Sequence, residues 1–157
     1  MKKIIFRLAS IYLALILFNS CVSVESLAKT ITIESGEIPP DMKTDSFVLI
    51  GMLIEKKGYD EDLKKEFANY TGNYILVTNN EIKNTYVDIN KYRYIMASKL
   101  ERTVYTNTTG SLISSYAYRF YILDRKENKE YLRTTKSSFA SSEVRAYLIA
   151  IEAIRKK

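Results

Sequence analysis

Apolar positions along the chain change their period several times, and each change predicts an element. Residues 8–18 form an almost unbroken apolar run, interrupted by Ser10 and softened by Tyr12. Residues 47–54 are apolar on both alternation phases, the pattern of a strand covered on both faces. Gly58 breaks the chain, and Asp60-Glu61-Asp62 then predicts a helix start, because acidic groups favour the positive end of a helix dipole. Leu63, Phe67 and Tyr70 fall on one face of that helix, with Gly72 placed to stop it. Residues 74–78 predict the next strand. Residues 79–91 are polar and loop-like, with a candidate edge strand at 86–89.

Two longer strands follow, at 92–100 and 116–123, the second with Tyr118, Phe120 and Ile122 on one face. Between them, residues 103–115 are rich in Thr and Ser around Gly110 and predict either a hairpin tip or strand extensions. A charged turn at 124–129 leads to a short strand at 130–134. The last segment predicts the clearest helix: Ser141 or Ser142 caps it, and Val144, Tyr147, Leu148, Ile151 and Ile154 form a stripe. Arg155-Lys156-Lys157 lies at its negative dipole end.

That order predicts an α+β domain at 45–157, a single mixed, mostly antiparallel sheet with two helices packed on one face. The first strand-helix-strand unit suits a parallel crossover. Ahead of it, residues 21–44 contain Pro39-Pro40 and few bulky side chains, which predicts an extended tether with a short strand at 30–33. In element order alone, the domain is similar to the small envelope domains resembling the TolB amino-terminal domain.

At the start of the chain, Lys2, Lys3 and Arg7 precede the apolar run, whose eleven residues make roughly 16 Å of helix, about half a hydrocarbon core. A signal peptide over residues 1–20 fits this better than a permanent membrane span. The run ends in Leu17-Phe18-Asn19-Ser20-Cys21, which resembles the lipobox of bacterial lipoproteins; Phe18 and Asn19 depart from its usual residues. The resemblance implies cleavage before Cys21, acylation of that cysteine (palmitate being a common chain) and anchoring to a membrane of the cell envelope. It favours the outer membrane facing the periplasm, with the inner membrane or cell surface as alternatives. Two or three acyl chains hold a protein firmly on a bilayer.

Composition removes several functions. The 157 residues contain no His, no Trp and one Cys, which excludes imidazole-dependent catalysis, His-ligated metals, an internal disulfide and a cysteine-based zinc site. The net charge of +6 falls to +3 without residues 1–20, too weak a surplus to favour nucleic acid. No phosphate-binding glycine loop is present. No cofactor, metal or enzymatic activity is expected. Tyrosine stands out, with thirteen residues, several on the two long strands. The expected partner is an envelope protein, bound on the helix-free sheet face through Arg119 and Tyr121, with Arg93 beside them. The competing expectation is that most of these rings fill the core. Two alternatives remain: an inhibitor or immunity lipoprotein acting through residues 103–115, and a carrier of a small ligand or lipid.

Overall fold

The structure, a computed structural model, describes residues 23–44 and 46–156. The leader and Cys21 lie outside the described residues. Within them the chain runs α1 (Val24–Ala28), a 3-10 turn (Pro40–Lys43), β1 (Leu49–Leu53), α2 (Lys57–Phe67), β2 (Tyr74–Thr78), α3 (Asn79–Asn84), β3 (Tyr94–Thr106), β4 (Leu112–Asp124), β5 (Lys129–Leu132) and α4 (Ala140–Arg155). One mixed sheet has the order β2-β1-β3-β4-β5. Strand β1 is parallel to β2 and β3, and the pairings from β3 through β5 are antiparallel. The chain is therefore α+β, with α2 and α4 packed on one face of the sheet.

The two-residue period of the strands divides the core into two layers. Leu49, Tyr94, Met96, Phe120 and Ile122 face α2 and α4, where Leu63, Phe67, Val144, Tyr147 and Ile151 meet them. Ile50, Val77, Ile95 and Ala97 face the other way, under Ile82 of α3. Strand β1 is apolar on both phases because both of its faces are covered. Gly51 lies where α2 presses on the sheet: a Cβ there would fall 2.5 Å from the Leu76 side chain and 2.9 Å from the Phe67 ring.

The amino-terminal segment departs most from expectation. Residues 24–44 do not form an extended tether, and no strand forms at 30–33. Ala28, Ile31, Ile38 and Met42 are buried in the main core, and the Glu37 carboxylate, 1% exposed, is 2.5 Å from the Arg133 guanidinium. The folded body therefore includes residues 24–44 and does not start at residue 45. Its apolar residues follow turns and a 3-10 step, so they show neither helical nor strand period. Pro40 occupies the first position of the 3-10 turn, where its missing N–H costs nothing.

Smaller differences have local causes. Helix α2 starts at Lys57, taking Gly58 into its first turn, while Asp60 accepts a hydrogen bond from the Ile54 N–H. It ends at Phe67, before Gly72. Helix α3 arises in the polar stretch from a capping box: Thr78 accepts from the Glu81 N–H, and Glu81 accepts from the Thr78 N–H. No strand forms at 86–89. In α4 the N-cap is Phe139, and the Ser141 hydroxyl donates instead to Glu66 at 2.6 Å.

Candidate functional site

Strands β3 and β4 have thirteen residues each and pair one to one from Tyr94↔Asp124 to Thr106↔Leu112. Their neighbours are shorter. β1 pairs with β3 only as far as Met96, and β5 reaches only Tyr121, followed by a bridge between Tyr118 and Ser137. Beyond these points β3 and β4 pair with each other alone, as a two-stranded arm projecting roughly 20 Å. Its turn is organised by Asn107, whose Oδ1 accepts from the Thr109 N–H, the Thr109 hydroxyl and the Ser111 N–H. Gly110, at φ +82°, supplies the left-handed step that closes it.

Most of the exposed large apolar side chains are on this arm. On the face continuous with the helix-covered side, Leu100, Val104, Leu112 and Tyr116 are 48%, 52%, 77% and 56% exposed. Tyr105 and Ile113 are exposed on the other face. Residues 103–118 carry no charge. A cluster of exposed large apolar side chains of this kind is a candidate interaction site. The turn itself, residues 106–111, is polar throughout, and Thr103, Ser114 and Ser115 are the small polar residues along the uncharged flanks.

Two of the three residues predicted for partner binding lie on the face away from α2 and α4. There the cations are already matched by carboxylates. Arg119 Nε is 2.9 Å from Glu101, which also takes Lys136 at 2.6 Å. Lys99 is 2.5 Å from Glu130 and lies 5.0 Å from the centre of the Tyr121 ring. The hydrogen bonds from Lys136 and Arg119 outweigh the effect of burial and lower the Glu101 pKa. The face is a lattice of ion pairs, not a free aromatic and basic patch. Beside it an open groove of about 750 Å³ has an apolar floor of Met52, Ile82, Ile95, Tyr121 and Leu123.

Arg93 is not part of this surface. It is 7% exposed, and its guanidinium binds Asp124 at 2.9 and 2.7 Å and Asp41 at 2.6 Å. Its position just ahead of β3 lets the side chain turn toward the helix-covered end of the sheet, where Asp124 ends β4. There it fastens the 3-10 turn to the sheet. Burial alone would raise the Asp124 carboxyl, but the hydrogen bond from Arg93 and the N–H groups of Glu127 and Lys126 together lower it.

The tyrosines divide between core and surface. Tyr94 is fully buried, Tyr118 packs against Tyr59 and Phe120, and Tyr92 meets Tyr86 edge-on. Burial pushes the Tyr59 hydroxyl up to about 12. Among the described tyrosines, only Tyr105 and Tyr116 are exposed, both on the arm.

A second polar cluster is internal. Arg133 lies between Glu37, at 2.5 Å, and Glu143, at 3.4 Å, and all three are at least nine-tenths buried. Burial raises the Glu143 carboxyl, with Arg133 opposing it. This cluster joins the amino-terminal segment to β5 and α4 and does not line the groove beside Tyr121. Among the described residues no group of three His, Cys, Asp or Glu side chains is arranged to hold a metal. No family model, curated protein or solved structure matches the chain.

Proposed function

We propose that this chain is a non-catalytic, membrane-anchored interaction module of the bacterial cell envelope, acting as an assembly accessory and docking through the β3–β4 arm. The observation that carries the reading is the concentration of exposed apolar side chains, Leu100, Val104, Tyr105, Leu112, Ile113 and Tyr116, on one projection whose residues 103–118 carry no charge. The anchor is the acylated Cys21, and only Val22 and Ser23 separate it from α1. The body is therefore moored close to the bilayer, with the arm as its reaching element.

A photo-crosslinking residue at Tyr105 in intact envelopes is expected to give a discrete adduct with a second polypeptide, and the same probe at the distant, exposed Lys91 none. Equal yields from both positions, or none from any arm position, would contradict the reading. The Cys21→Ala chain is expected in the soluble fraction. An inhibitor or immunity lipoprotein is the second reading, favoured by the same projection, since a narrow hairpin fits an enzyme cleft. Under it, shortening the arm abolishes protection against a hydrolase or toxin.

A further inference from the structure

The backbone of the arm has a direction that the side chains alone do not show. Tyr118 exchanges two hydrogen bonds with Ser137, at 2.8 and 2.9 Å, so its N–H and C=O point away from β3. The Phe120 carbonyl points the same way, to Arg133. The one-to-one register between β3 and β4 has no bulge. The strand period of two therefore aims the backbone groups of Tyr116, Ser114 and Leu112 outward as well. Among the described residues nothing pairs with them on that side.

From this edge we infer that the arm is completed by a second copy of the chain, β4 against β4 and antiparallel, about a two-fold axis through Ser114. The inference rests on the arm being the docking element, and it names the occupant. A two-fold pairing centred on Ser114 sets Leu112 opposite Tyr116 of the second copy, Ser114 opposite Ser114, and Tyr116 opposite Leu112. All three are positions with outward-facing backbone groups, and each pair exchanges two hydrogen bonds. Moving the axis one residue toward the turn places Gly110, already bent at φ +82°, in the ladder. Moving it one residue the other way requires Tyr118, already bonded to Ser137. The free edge thus admits one symmetric register in which three pairs form; shifted one residue either way, only two do.

Side chains agree with that register. Large apolar residues meet large apolar residues on the face carrying Leu112 and Tyr116, around a small hydroxyl pair at the axis. With no charge anywhere in residues 103–118, no like charges oppose one another. Natural proteins protect a free edge with Lys, Pro or a bulge, and this edge has none of them. A bilayer suits the arm less well, because its leading end is the polar turn at 106–111 and its apolar residues lie along the flanks.

The test uses the full chain purified from membranes in detergent, with mass from light scattering and a short thiol crosslinker applied to Ser114→Cys. A dimer is expected, with crosslinking through residue 114 well above that of the unsubstituted chain and of Thr108→Cys at the turn. Ser114→Lys sets two cations face to face and is expected to weaken dimerisation at least tenfold. Ser114→Pro removes only an outward N–H, so it is expected to remain folded and monomeric. A monomeric parent at about 100 μM, a dimer indifferent to Ser114→Lys, or a dimer that does not crosslink through residue 114 would each overturn the inference. Adducts from Tyr105 to a different protein that survive Ser114→Lys would leave the docking role standing without the self-pairing.

Discussion

The same two strands behave differently at their two ends. From Tyr94 to Ser98 and from Phe120 to Asp124, β3 and β4 are buried or partly buried; from Leu100 onward in β3 and from Leu112 to Tyr116 in β4 they are largely exposed, with Leu100, Val104, Leu112 and Tyr116 continuing the helix-facing stripe. Pairing, register and strand propensity continue unchanged across the boundary. What changes is cover: β1, β5 and the helices stop, and the stripe that holds the core together at one end becomes an open surface at the other. In a β-strand, alternation specifies a face but not what lies against it.

The largest expected contrast is between equivalent positions on that stripe. Phe120→Ala removes a ring that is 1% exposed and is expected to cost about 3–5 kcal/mol in equilibrium urea unfolding. Tyr116→Ala, measured at a concentration low enough to keep the chain monomeric, is expected to stay within about 0.5 kcal/mol of the parent. A comparable loss at both sites would mean that the arm is part of the core.

The base is also held by charge. Arg93→Ala leaves Asp124 buried without its partner and is expected to destabilise by about 3 kcal/mol or somewhat more. An arm residue such as Arg102, which is exposed, is expected to change unfolding hardly at all when replaced by Ala. Gly51→Ala, where the helix layer touches the sheet, is expected to cost about 1–3 kcal/mol through crowding against Phe67 and Leu76. Gly110→Ala strains only the turn, and its cost is expected to be smaller.

Acid provides a weaker probe of the same division. The Asp124 carboxyl titrates below its unfolded value of 3.8, so the stability it contributes is present above that pH and is lost as pH falls through the lower, folded value. Glu143 runs the other way: its raised value means that the folded chain takes up this proton before the unfolded one, a gain on mild acidification. Asp124→Asn is expected to flatten the acid limb of the stability curve below about pH 4. Unfolding midpoints measured across pH 2–6 would check it, and an unchanged slope would remove Asp124 from the account.

Much of the base was legible in the sequence. The doubled apolar phase of β1, the limits of β2 and the stripe of α4 all follow from periods that a single element imposes. Residues 24–44 were not legible, because Ile31, Ile38 and Met42 are buried from turns, and because the Glu37–Arg133 pairing joins positions 96 residues apart. Helix α3 left a readable trace in Thr78-Asn79-Asn80-Glu81, a capping box hidden by the polarity around it. Arg119 and Tyr121 reached the expected face, but the carboxylates that neutralise it come from other strands. The arm was half legible: residues 103–115 allowed strand extensions, but only the early end of β1 and β5 exposes them.

Crosslinking in intact envelopes with the arm shortened tests the claim most directly. Replacing residues 104–114 with Asn-Gly between the directly paired Thr103 and Ser115 closes the hairpin early and keeps the base intact. With the probe at Leu100, at the arm's root and kept in both chains, the parent is expected to give envelope adducts, and the shortened chain to lose them while keeping its unfolding midpoint. Adducts persisting at the parental yield on that folded, armless chain would contradict docking through the arm.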